Sequence, residues 1–243
     1  MKAKHKVLST KKLKPSLIKK AGEAGIEIIE QEFISVKPIQ NEETARRIID
    51  YAEAGKTTIV LTSANATEIL DGYMRIGSTH YVIGWKIFCL AGKTKDAVLS
   101  AKMLTKNIVG EADTAALLAG EIIRQGVSEV VFFCGNKRRD ELPDALKAAG
   151  VTVHEVVLYE TLQTAQVSTE AIEGILFFSP SAAQSFFSVN NLEKKTVCFA
   201  IGETTAASIE DFADNRIITS PSPSQEMMLS AVQLYFESSD CYE

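Results

Sequence analysis

Six short segments carry residue types able to hold a polyanionic ligand. They are Thr62-Ser63-Ala64-Asn65, Gly92-Lys93-Thr94, Gly135-Asn136-Lys137, Ser179-Pro180-Ser181, Gly202-Glu203-Thr204-Thr205 and Ser220-Pro221-Ser222. Each sits where an apolar β-branched run gives way to a helical pattern. Unpaired amides and hydroxyl side chains at such a junction accept carboxylates or phosphates through hydrogen bonds and the helix dipole. A serine or threonine there also caps its own helix, and that role needs no ligand. Two basic stretches add charge: the lysines of the first twenty residues, and Lys137-Arg138-Arg139.

Several better-known chemistries are missing. Ala91-Gly92-Lys93-Thr94 ends like a phosphate-binding P-loop, but the glycine needed five residues earlier is Ile87. No GxGxxG follows a strand, and no GxSxG elbow or Ser-His-Asp set is present. The three histidines (His5, His80, His154) form neither HxH nor HExxH, which gives no basis for a zinc centre. The cysteines (Cys89, Cys134, Cys198, Cys241) are scattered without a CxxC pair and read as free thiols, three of them in apolar runs. An enzyme with this inventory is expected to use no metal and no redox cofactor, and to act by positioning its substrate.

The elements that must position these turns alternate. Strand-like runs fall at 7–9, 27–34, 58–62, 87–90, 130–134, 152–158, 175–179, 197–200 and 216–219. Amphipathic helical patterns fall between them, including 41–54, 114–125, 140–149, 203–213 and 224–236. Gly25, Gly55, Gly126 and Gly150 follow helices, where a left-handed cap favours glycine. This alternation implies an α/β fold with parallel sheets covered on both faces.

The chain also repeats itself in permuted order. Residues 7–34 align without a gap onto 132–159, 59–66 onto 175–182, and 88–97 onto 198–207. The expected architecture is two similar doubly wound, flavodoxin-like lobes with a cleft between them. One lobe combines 1–35 with 170–243 and the other spans 36–165. Two extended linkers, near 35–40 and 160–172, join them. Ligands commonly bind where domains meet.

With 243 residues, 46% hydrophobic and 23% charged, the composition is that of a globular protein, and no segment approaches the roughly 20 uninterrupted apolar residues of a membrane helix. The net charge of −5 argues against a nucleic-acid partner. The basic start is not followed by an apolar stretch, so a cytoplasmic location is expected.

Longer motifs carry a resemblance. FFSPSAAQSF (177–186), CFAIGETTAASIE (198–210), ITSPSPSQEMM (218–228) and CGNKRRDELPDALKAAGVTVHEVVLYET (134–161) resemble the uroporphyrinogen-III synthase family over nearly the whole chain. The resemblance implies a cofactor-free, cyclising lyase. Its substrate would be the linear tetrapyrrole hydroxymethylbilane, handed over by hydroxymethylbilane synthase. Ring D is inverted by way of azafulvene and spirocyclic pyrrolenine intermediates. It implies a monomer and assigns Tyr159 as the group assisting departure of the hydroxyl. It also implies substrate contacts by Thr10, Ser63, Ala64, Thr94, Gly135, Lys137, Ser179, Pro180, Ser181, Gly202, Thr204, Thr205 and Ser220. One departure is visible: many members carry Thr-Arg-Pro after the first strand, where this chain has Thr10-Lys11-Lys12. Lysine keeps the charge but loses the bidentate fork. A non-catalytic two-lobed protein for an anionic small molecule is the alternative. A pair of response-regulator-like domains would need an acidic cluster at strand ends, where this chain has Ser, Thr and Gly.

Overall fold

The computed structural model describes residues 5–76, 84–102, 104 and 106–240, so His80 and Cys241 lie outside the described residues. In chain order, β1 (His5–Ser9), α1 (Pro15–Glu23), β2 (Ile26–Glu30) and β3 (Ile34–Pro38) are followed by α2 (Glu42–Glu53), β4 (Thr58–Leu61), α3 (Ala64–Ile76) and β5 (Lys86–Leu90). Next come α4 (Lys93–Ser100), β6 (Ile108–Ala112), α5 (Ala115–Arg124), β7 (Glu129–Gly135), α6 (Glu141–Ala148) and β8 (Thr152–Gln163). The chain continues through β9 (Gly174–Phe177), α7 (Pro180–Phe187), β10 (Val197–Ala200), α8 (Glu203–Glu210), β11 (Ile217–Thr219) and α9 (Gln225–Asp240). Two compact units result: Met1–Ser35 with Leu162–Glu243, and Val36–Thr161.

The first unit holds a sheet of order β11-β10-β9-β1-β2, and its pairings are parallel. Neighbouring strand residues face opposite sides, so each strand feeds two cores. Val7, Leu176 and Phe199 pack under α1 and α9 with Leu17, Met228 and Val232. Leu8, Ile175, Phe177 and Cys198 pack under α7 and α8 with Ala183, Phe186 and Ile209. Strands buried on both faces must be apolar throughout, which is why GILF and VCFA read as unbroken hydrophobic runs.

The second unit holds a six-stranded sheet of order β3-β8-β7-β4-β5-β6. Ile59, Ile87, Val131 and Phe133 face α2, α3 and α4 through Ile48, Leu70 and Val98. Val60, Phe88, Val130 and Phe132 face α5 and α6 through Leu118, Ile122 and Leu146. Under the repeat alignment β7, β8, β4 and β5 correspond to β1, β2, β9 and β10; β6 and β11 follow as the next strand of each unit, and the two sheet orders then coincide, with β3 the addition. In repeat order both read 2-1-3-4-5, the flavodoxin-like winding.

Two stretches depart from the sequence expectation. The run at 27–34 divides into β2 and β3, and the intervening Phe33 is fully buried against Phe186. β6, not expected as a strand, pairs with β5 across a register shift between Ile87 and Phe88. Its Gly110 lies against the Phe88 ring, where a β-carbon would collide. Gly25, Gly55, Gly126 and Gly150 have φ of 75°, 74°, 67° and 80°, the left-handed caps their positions imply.

Candidate active site

In a sheet of order 2-1-3-4-5 the connections leave in opposite directions on either side of the first strand. This opens a crevice at the carboxyl ends of strands 1 and 3. In the second unit those strands are β7 and β4. A pocket of about 560 Å³ lies there, reached by Thr62 and Ser63 after β4, by Gly135 at the end of β7 and Lys137 to Arg139 after it, and by Tyr159 of β8. Asp113 and Thr114, at the end of β6, close another side.

Tyr159 is the central side chain. Only 9% of it is exposed, and its hydroxyl lies 3.0 Å from Ser63 Oγ. Burial pushes the phenol above its ordinary value, and the Ser63 hydrogen bond opposes that only in part. Tyr159 is therefore a neutral hydrogen-bond donor at neutral pH. Its ring lies over Gly135. The turn after β7 holds its backbone: Asn136 N–H donates to Tyr159 O (3.0 Å), and Asn136 Oδ1 accepts from Thr161 N (2.8 Å).

The basic triplet divides by role. Arg138 is held by the carboxylates of Glu155 and Asp140, which raise its already high pKa. Glu155 is held in turn by Lys147 at 3.2 Å. Arg138 thus braces the turn against β8. Lys137 is exposed and makes no ion pair among the described residues, so its ammonium is available to an anion. Cys134 sits at the pocket floor as a buried free thiol, pushed up to about 11 by burial, and is inert at neutral pH.

The other sequence candidates fall as follows. Ala64 opens α3 beside Ser63, and Thr94 is nearly buried in the first turn of α4, after β5 of the same sheet edge. Thr10, Ser179, Pro180, Ser181, Gly202, Thr204, Thr205 and Ser220 follow β1, β9, β10 and β11, along the carboxyl edge of the first unit's sheet. Several hydroxyls there have internal partners. Thr10 is 2% exposed; its Oγ1 donates to Leu176 O (2.8 Å) and accepts from Phe178 N (3.3 Å). Ser179 Oγ caps α7 by accepting from Ala182 N (3.1 Å), and Ser220 Oγ donates to Ser222 O (2.7 Å). Thr205 is buried, Thr204 is exposed, and Ser181 and Gly202 are partly exposed. Asp113 and Thr114 carry no site motif in the sequence; the local signal is a threonine before AALLAGEIIR, where it caps α5 by accepting from Leu117 N.

Residues 15–230 match the family model of uroporphyrinogen-III synthase HemD, which spans most of the chain. The chain belongs to the uroporphyrinogen-III synthase family. A uroporphyrinogen-III synthase from Saccharomyces cerevisiae is 28% identical over 126 residues, 44% of this chain and 46% of that protein. The match therefore spans about half the length of that curated relative. Among solved structures, a mutant uroporphyrinogen III synthase from the extremely thermophilic bacterium Thermus thermophilus superposes with a TM-score of 0.69 at 12% identity, covering 97% of this chain and 99% of that one. The uroporphyrinogen-III synthetase from Helicobacter pylori gives 0.68 at 14% identity over 95% and 99%. At such identities these structures establish the two-lobed α/β fold of the uroporphyrinogen-III synthase family, not its residue roles. No helix among the described residues is long and apolar enough to cross a membrane.

Proposed function

We propose that this chain cyclises hydroxymethylbilane to uroporphyrinogen III. Family membership supports the reaction class. The observation that carries the residue assignment is the Tyr159–Ser63 hydroxyl pair, buried beside a free Lys137 at the crevice of the second sheet. The neutral phenol donates its proton to the departing hydroxyl as the C–O bond breaks, giving water and an azafulvene cation. The substituted α-carbon of ring D attacks to form the spirocyclic pyrrolenine, which fragments and recloses at the free α-position. Loss of the proton from that carbon restores the aromatic pyrrole and reprotonates the phenolate, so each turnover releases one water.

The substrate carries several carboxylates while the protein is net −5. Lys137 and Arg139, with the amides at the start of α3, supply local positive potential at the second unit's pocket. The expected partner is the linear tetrapyrrole alone, with hydroxymethylbilane synthase as its source and a cytoplasmic monomer as the working form.

The test is incubation with enzymatically generated hydroxymethylbilane, oxidation, and separation of the porphyrin isomers. A dominant type III isomer is expected. Type I alone, the spontaneous product, would overturn the reading in favour of a binding protein for anionic small molecules.

A further inference from the structure

The two units differ at the residue at the end of the first strand of each repeat. The ungapped alignment of 7–34 with 132–159 sets Thr10 against Gly135. In the first unit the Thr10 side chain fills the end of β1 and ties it to Leu176 and Phe178. In the second unit the corresponding residue has no side chain, and the Tyr159 ring occupies that space. A β-carbon on Gly135 would stand 2.8 Å from Tyr159 Oη and closer still to Cε2 and Cζ. The backbone does not require glycine, because Gly135 is not among the glycines with positive φ. The register shift between Cys134 and Gly135 is what brings Gly135 opposite Tyr159. Asn136 then bonds on both sides of Tyr159, to its carbonyl and to the Thr161 amide.

From this geometry we propose that Gly135 is a positioning residue: its missing side chain seats the Tyr159 ring so that the hydroxyl meets Ser63 at the pocket. The catalytic consequence rests on the cyclisation reading; the seating does not. Any β-carbon pushes the ring about 1 Å or more to reach ordinary contact, and a displacement of that size at a reacting group can slow chemistry about 10²-fold. Lys137 and the helix amides are untouched, so substrate binding should persist.

The experiment compares wild type, Gly135→Ala, Tyr159→Phe and the double variant on hydroxymethylbilane, scoring kcat, KM and the type III fraction. Gly135→Ala is expected to lower kcat about 10²-fold with KM within about threefold. Added to Tyr159→Phe, it should slow the enzyme by no more than about twofold further. A second arm measures melting without substrate. Gly135→Ala should lower Tm by roughly 3–10 °C in the wild type, and by less than about 1 °C in a Tyr159→Ala background where the ring is absent. Folding of only the Gly135→Ala/Tyr159→Ala pair would count as support. Unchanged kcat, effects that multiply independently, or a Tm loss that persists without the ring would each overturn the proposal. If the wild type forms no type III isomer, the cyclisation reading fails, and the melting arm still decides whether Gly135 seats the ring.

Discussion

Replacing Tyr159 with phenylalanine removes one oxygen and leaves the ring over Gly135. The lost contact is the 3.0 Å hydrogen bond to Ser63, whose Oγ keeps a longer one from Ala66 N at 3.4 Å. A neutral buried hydrogen bond contributes about 1 kcal/mol net. For a chain of this size that lowers Tm by roughly 2–4 °C, so the variant should stay folded. The catalytic effect should be larger. General acids contribute about 10²–10⁴-fold. Expulsion of hydroxide is already assisted by the pyrrole nitrogen, which places this case at the low end. We expect kcat to fall about 10²-fold, equivalent to about 2.7 kcal/mol, while some type III product persists. The wild-type rate should also be flat across neutral pH, because burial holds the phenol above its ordinary value of 10. Any stability linked to the neutral phenol is complete below pH 10 and declines as pH rises through the higher folded value. The assay is initial rate against pH for both proteins, with isomer separation. Full rate in Tyr159→Phe would remove the hydroxyl from the mechanism. A wild-type rate that falls with rising pH well below about 9 would assign the proton to another group.

Three further outcomes are expected. Lys137→Ala should raise KM several-fold with little change in kcat, and added salt should shrink the difference between the two proteins; steady-state kinetics at two ionic strengths checks this. Thr10→Val keeps the shape but removes the hydroxyl bonded to Leu176 and Phe178, leaving that buried carbonyl and amide with fewer partners. It should lower stability by about 1–3 kcal/mol in urea titration without raising KM. Burial pushes the thiols of Cys134 and Cys198 up to about 11 and about 12. Neither should be alkylated by iodoacetamide at about pH 7.5 in the native protein, and both should react in denaturant, as peptide mapping would report.

Local patterns reveal an element when its face is uniform. GILF and VCFA are apolar throughout because helices cover both sides, so they read as buried strands. β6 gives no such signal: IVGEA carries a glycine and a glutamate, because Gly110 admits the Phe88 ring and Glu111 pairs with Lys95 at 2.5 Å. The break between β2 and β3 is only partly legible. Glu30, Gln31 and Glu32 interrupt the apolar run, but it is the packing of Phe33 on Phe186 that separates the two elements.

The sequence by itself determined the α/β class, the permuted correspondence of the two halves and the residue types at the strand ends. These follow from periodicity and turn chemistry, which act over a few residues. Tertiary structure decided which of those hydroxyls face a pocket. Thr10 and Ser63 both follow a strand, yet Thr10 bonds Leu176, 166 residues away, and Ser63 meets Tyr159, 96 residues away. A hydroxyl takes whatever partner its surroundings bring within about 3 Å, and here strand order and a single register shift across β7 and β8 bring that partner.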